Sequence, residues 1–489
     1  MIEAKDIKQH LLRLESSYPV DQWEVGGIKV WPYLRIKLFI DLLKYSKQIP
    51  IYNLKNTNFK PPKKTIKKQL FQVFKDLFYL LRFLLKLQSK SVIYYGGHFH
   101  RTKIDGVYFN RFFDALSYNY GLSDNHYTFE FLKIYNRNFY QSSILDLTSS
   151  INAYNTLQKI KSKVLKQRKV VSKVSLDGYE EFLKDVSQLN RFIVLDSYSE
   201  LSVTRWVKKI INLQPFFKIV YKRIQPKYVV YAGYYGYDHL YASIYAANCM
   251  GIKTVDVQHG PQTNTHMVFS DWNKIPEKGY SLMPKIYWNW DEHSKKNILK
   301  WGASNGIEAK CIEQPYINYF NSTNKVTISK QSYVLYSFQA KPFLLTDFLS
   351  DSILSLIKAL DYIWILRLHP SSYITKLDVE EFVKSKGVLE KVKIEDAKSS
   401  PLPISILKST WHITHFSGCV IEASMLDTPS IIINDFGQAI YKDYIDQKKV
   451  FYVDHEAANF VSLIKNIMSN SPKSKIFKAP VYLNPFSNL

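Results

Sequence analysis

Cysteine is scarce, with three residues in 489. Cys249, Cys311 and Cys419 stand far apart and form no paired spacing, which excludes a disulfide framework and a thiolate metal site and fits a reducing cytoplasm. An HExxH pair, a DxD in a strand-end loop and a Cys/His cluster are also missing, so no metal site is expected. The phosphate-cradling GxxxxGK[ST] is absent, which argues against an ATPase. Acidic residues run short, 42 against 66 Lys and Arg, for a net charge of +24. Such a balance favours an anionic partner. Nucleic acid is nevertheless not expected, because helix-turn-helix, finger, RNP and KH signatures are all lacking. Long apolar runs are missing too. The nearest, Leu77 to Leu87, is broken by Arg82 and Lys86, and the charged, amphipathic N-terminus has no signal-peptide core. The expectation is a cytoplasmic protein, soluble or peripheral at the inner face of a membrane.

What remains is globular, at 46% hydrophobic and 22% charged residues, and too long for one ordinary core. Composition divides it into an N-terminal extension (1–90), a first α/β domain (91–320), a second (331–470) and a tail (471–489). NSTNKVTISKQ, residues 321–331, reads as the linker. Within the extension, Gly26 to Leu43 runs into a helix with Pro32 in its first turn. Lys60 to Lys90 reads as a helix with a basic start and a Leu/Phe/Tyr face, suited either to an anionic bilayer or to ordinary packing.

The organising stretch is Lys227 to Trp272. Tyr228 to Ala232 reads as a strand, Gly233 breaks it, a helix with Ala242, Ala246 and Ala247 follows, Gly251 stops it, and Lys253 to Val257 is the next strand. This is a βαβ unit of a parallel sheet. Ligands bind beyond the carboxyl ends of such strands. There the chain places Tyr234, Tyr235, Asp238 and His239, then Gln258, His259, Gly260 and His266. Asp238 reads either as a site carboxylate, nucleophile or base, or as a helix-start aspartate favoured by the dipole. His259 and Gln258 on the facing loop are candidate binding residues, with His266 a second candidate beside Tyr235. FIVLDSY (Phe192 to Tyr198) reads as a strand and Arg101 to Asp114 as a polar loop, whose Arg101 and Arg111 are candidate binding residues.

In the second domain SYVLYSFQ, YIWILRLHP, WHITHFSG and EASMLDTPSIIINDFG alternate strand and helix around a polar insert. His369 and Pro370 end one strand. Ser417 and Gly418 turn from another into a helix carrying Glu422 and Ser424. Small residues at a helix start suit a phosphate, Glu422 suits ribose hydroxyls, and His369 suits a departing phosphate.

These motifs resemble those of GT-B glycosyltransferases from the bacterial group that uses CMP-activated sugars. Its HP motif is matched by His369-Pro370 and its serine motif by Ser417 with Glu422. VDVQHG with the upstream YYGYD is similar to retaining β-Kdo transferases of capsule and O-antigen assembly, over about Ile93 to Gly437. The resemblance implies two Rossmann-like domains around a cleft, a catalytic aspartate at Asp238, and CMP-Kdo as donor, held by His369, Pro370, Ser417, Gly418, Glu422 and Ser424. It also implies a glycan or glycolipid acceptor on the N-terminal domain, with Asp238 facing the sugar, Gln258, His259, His266 and Tyr235 on the donor's carboxylate or acceptor hydroxyls, Arg101 and Arg111 as acceptor contacts, and no cofactor beyond the nucleotide sugar. Other donors (CMP-sialic acid, a UDP- or GDP-sugar, CDP-glycerol) and a non-catalytic glycan-binding subunit are the alternatives.

Overall fold

The computed structural model describes residues 6–44, 66–122, 124–131, 138–164, 173–323, 331–339, 344–370, 372–397, 400–470 and 484–486. The basic start of the Lys60 helix through Thr65, most of the 321–331 linker and nearly all of the tail lie outside the described residues.

Two parallel sheets organise the chain. The first holds β1 (Val92–Gly97), β2 (His126–Phe131), β3 (Ile144–Asp146), β4 (Tyr228–Tyr231), β5 (Lys253–Val257), β6 (Ile286–Asn289) and β7 (Glu308–Cys311). Its spatial order is β7-β6-β5-β4-β1-β2-β3, with every pairing parallel. The second holds β8 (Gln331–Ser337), β9 (Ile363–Leu368), β10 (Val392–Asp396), β11 (Ser409–Thr414), β12 (Ser430–Ile432) and β13 (Val450–Tyr452), in the order β10-β9-β8-β11-β12-β13, again all parallel. β1, β2, β4 and most of β5 are buried, as strands covered on both faces must be. Each domain winds outward from its first strand in both directions, so each has a switch point, between β1 and β4 and between β8 and β11. Crevices for ligands open at such points.

The N-terminal segment is integral to the first domain. Helices α1 (Ile7–Ser17) and α2 (Trp31–Lys44), with Trp23 between them, place Leu11, Trp31 and Leu34 in one core with Trp206, Phe217 and Tyr241. Buried Arg35 on α2 donates to the carbonyls of Met267, Ser270 (3.1 Å) and Asp271 (2.7 Å), and lies 3.6 Å from buried Glu15. Glu15 also accepts from Trp31 Nε1 at 2.9 Å. The start of the chain thereby clamps the loop beyond β5. Helix α3 (Ile66–Lys86) lies against α4 (Leu147–Val164), with Thr156 Oγ1 donating to Asp76 at 2.7 Å.

Several expectations need correction. Arg101–Ile104 and Val107–Asn110 pair as an antiparallel hairpin rather than a polar loop. Phe192 to Tyr198 is no strand: its end, Leu195–Tyr198, is a 3-10 turn, and the Asn190 side chain accepts the Phe192 N–H at 3.0 Å. Within the polar insert the chain forms a helix, Lys376–Ser385, and edge strand β10.

Candidate functional site

On the N-terminal side the site is built from the loops after β4 and β5. Gly233 has φ +82°, and a Cβ there would stand 2.9 Å from the His259 ring. Only glycine allows both the backbone and this approach. Asp256, buried near the end of β5, accepts the Tyr234 N–H at 3.0 Å and Gln262 Nε2 at 3.4 Å, locking the two loops together. Burial holds its carboxyl well above the usual carboxylate range. Gln258 is also buried and occupied. It donates to the Gly260 carbonyl (3.0 Å) and Ser294 Oγ (3.2 Å), and accepts the Trp290 N–H at 2.7 Å. Its amide therefore sets the course of the loop.

His259 is what that loop presents. Burial lowers its imidazole to about 4, against the pull of a hydrogen bond with the Val257 backbone, so it is neutral at pH 7. His100 lies close enough that His259, after burial, further opposes its protonation; its Nδ1 has no hydrogen-bond partner among the described residues. The ring of Tyr235 stands 6.0 Å from His259 and 6.3 Å from His266. His266, lowered to about 3 by burial and then by His259, packs on Phe39 and Phe269 at 5.2 and 4.9 Å. The structure thus gathers Tyr235, His259 and His266, and adds His100.

The other N-terminal candidates separate. Asp238 opens α6 (Asp238–Cys249) and turns toward α5 (Glu200–Ile224), accepting Trp206 Nε1 at 3.0 Å and pairing with Lys209 at 3.3 Å. Its side chain is 44% exposed. Arg101 is wholly buried, tied to Glu130 and Asp114. With no solvent access and both carboxylates spoken for, it braces the hairpin. Arg111 takes the opposite course. Half-buried, it leaves the hairpin toward the C-terminal domain, where its charge opposes protonation of His369 and favours the ionised form of Glu422.

In the C-terminal domain His369 and Pro370 follow β9, with the imidazole lowered to about 4, first by burial and then by Arg111. Ser417 and Gly418 follow β11 at the switch point. Ser417 Oγ accepts the Cys419 N–H at 3.3 Å, and its carbonyl accepts Tyr441 Oη at 2.7 Å. A Cβ on Gly418 would lie 3.2 Å from Pro261 Cδ, so this turn packs directly on the histidine loop of the other domain. Helix α7 (Cys419–Met425) carries Glu422, 8% exposed, whose Oε1 accepts Gln314 Nε2 at 3.0 Å. Burial raises its carboxyl to about 7, opposed by Arg111 and Arg367. Arg367 is fixed by Glu395, Ser405 Oγ (3.0 Å) and the Ser400 carbonyl (2.7 Å). Ser424, two residues beyond Glu422 and so on the other side of the helix, lines a separate cavity of about 310 Å³ with Asp291, His293, Lys296 and Tyr444.

Sequence reasoning passed over Asp256, His100, Gln314 and Arg367. Asp256 had a signal, a charge inside an otherwise apolar strand. Gln314 had none, since its meaning comes from the other domain. Among the described residues no group of three or more His, Cys, Asp or Glu could hold a metal ion.

Two Rossmann-like domains whose switch-point loops meet across a cleft define the GT-B architecture. Among solved structures the chain is similar in fold to the UDP-GlcNAc 2-epimerase of Neisseria meningitidis bound to UDP-GlcNAc (13% identity, 78% of this chain and 92% of that one, TM-score 0.42). It is similar also to that of Methanocaldococcus jannaschii in complex with UDP-GlcNAc and UDP (12%, 82% and 96%, 0.39) and to the glycotransferase of kitacinnamycin (9%, 79% and 91%, 0.40). No family model and no curated protein matches the chain.

Proposed function

We propose that the chain is a glycosyltransferase that moves a sugar from a nucleotide donor, CMP-Kdo by the motif resemblance, onto a glycan of bacterial surface polysaccharide, in capsule or lipopolysaccharide. One observation carries this reading. Glu422, buried at the switch point where the Gly418 turn packs on Pro261, accepts from Gln314 of the other domain and lies within electrostatic reach of a cation from each domain, Arg111 and Arg367. Such an arrangement suits a nucleotide monophosphate: the arginines offset its phosphate charge, Glu422 accepts from ribose hydroxyls, and neutral His369 donates one hydrogen bond to the departing phosphate. His259, Tyr235 and His266 then face the sugar from the other domain. Asp238 acts in this scheme as nucleophile or base, after leaving Trp206 and Lys209. Gln258, Gly418 and Pro370 shape the loops rather than transfer protons.

The test is a thermal-shift panel of CMP, CDP, UDP, GDP and AMP on the full chain. A ligand that binds only the native state raises Tm by mass action, here by a few degrees at about 100 times its Kd. A rise with CMP that His369→Ala abolishes is the expected result. No rise with any nucleotide ends the transferase reading.

A further inference from the structure

Helix α3 is apolar on two faces, and the core uses one. Inward, Leu80 and Phe83 are buried, Phe83 stacking on Phe216 at 6.2 Å and meeting Phe129 edge-on at 6.1 Å. Outward, Phe71 (73% exposed), Phe74 (69%), Phe78 (67%), Leu81 (57%) and Leu85 (65%) stand in solvent. Their spacing of three, four, three and four residues aligns them in one stripe, about 20 Å long at 1.5 Å per residue. A single exposed phenylalanine is ordinary; a five-residue stripe is a contact surface.

Charge says what covers it. Lys75, Arg82 and Lys86 are exposed, and helical spacing sets them along one border of the stripe. On the neighbouring α4, Lys159 and Lys161 are exposed, and α4 contains no acidic residue. The one acidic residue of α3, Asp76, accepts from Gln72 Nε2 and Thr156 Oγ1, both at 2.7 Å. Nucleic acid would want cations at the centre of the contact; here the centre is Phe and Leu and the cations form the edge. No helix among the described residues is long and apolar enough to cross a membrane, so the contact lies along a surface.

We propose that α3 docks the protein on an anionic lipid bilayer. Phe71, Phe74, Phe78, Leu81 and Leu85 enter the boundary between headgroups and acyl chains, and Lys75, Arg82 and Lys86 meet lipid phosphates. This goes beyond the nucleotide chemistry and does not depend on it, although it would bring the cleft to a lipid-linked acceptor.

Flotation of the full chain with phosphatidylcholine vesicles, with and without about one-third phosphatidylglycerol, tests it. Co-flotation with the anionic vesicles alone, weakened by salt, is expected. Phe74→Ser with Phe78→Ser, and separately Lys75→Glu with Arg82→Glu, should each reduce partitioning by about tenfold or more. Because these side chains are exposed, Tm and any nucleotide-induced shift should stay unchanged, which separates docking from folding and from donor binding. Absence of flotation overturns the proposal, as does flotation indifferent to the Phe substitutions. A dimer seen by light scattering that Phe74→Ser with Phe78→Ser dissociates, without vesicle binding, assigns the stripe to a second copy and overturns it equally.

Discussion

Burial raises the Glu422 carboxyl from its ordinary 4.5 to about 7, against the pull of Arg111 and Arg367. Between those two values the folded chain holds a proton that the unfolded chain has released. Its contribution to stability is therefore full below about 4.5 and is lost as pH rises through about 7. Buried histidines work in the opposite sense: His259, at about 4, and His412, at about 3, stay neutral when the unfolded chain would protonate below 6.5, so they cost stability as pH falls. A comparison of one variant with the parent cancels them. Glu422→Gln keeps an oxygen for Gln314 and removes the titration, so its stability relative to the parent should rise between pH 5 and pH 8 by about 2–3 kcal/mol. Denaturant unfolding at both pH values measures this. A constant difference would mean that Glu422 does not titrate there.

At the scale of elements, the clamp from α2 to the loop beyond β5 is the contact whose loss should travel furthest. Arg35→Ala leaves buried Glu15 without its cation and the carbonyls of Met267, Ser270 and Asp271 without their donor. The expected cost is about 3–5 kcal/mol, with faster amide exchange at residues 266–272 than in β1. Equal exchange in both would reduce Arg35 to a general core contact. The loop itself was readable before any coordinates. Uniformly apolar strands with glycine stops mark parallel, doubly covered pairs, and Tyr228–Tyr231, Asp238–Cys249 and Lys253–Val257 occur in that order. Edge strands were not readable. β7, EAKC, exposes alternate side chains, and both it and β10, VKIED, carry charges that look like loop. The Arg101–Asn110 hairpin was hidden because Arg101 is buried against Glu130, a partner distant in sequence, as well as Asp114. For the same reason the motifs could nominate His259, His369 and Glu422 but could not tell Arg101, a brace, from Arg111, which faces the cleft.

At the scale of the molecule, the question is how two domains share one ligand. Gln314 reaches Glu422, Tyr444 Oη donates to Asp291 at 2.9 Å, and the Gly418 turn packs on Pro261. The domains are thus already in contact at the rim of the cleft. Arg111 is the cation of the N-terminal domain whose charge reaches His369 and Glu422, apart from the Arg101 cluster. If a phosphate sits between Arg111 and Arg367, affinity measured for the nucleotide alone must depend on a residue of the opposite domain. Arg111→Ala should then raise the Kd for CMP by about tenfold to a hundredfold, the weight of one charge-assisted hydrogen bond. The salt dependence of binding should flatten with it. The same substitution removes a charge that favours ionised Glu422, so the carboxyl should titrate higher and the pH profile of binding should shift upward. Titration calorimetry across pH reads all three effects. An unchanged Kd with an upward-shifted profile would keep Arg111 as a tuner of Glu422 and remove it from the phosphate. A raised Kd with an unshifted profile would place it on the ligand alone.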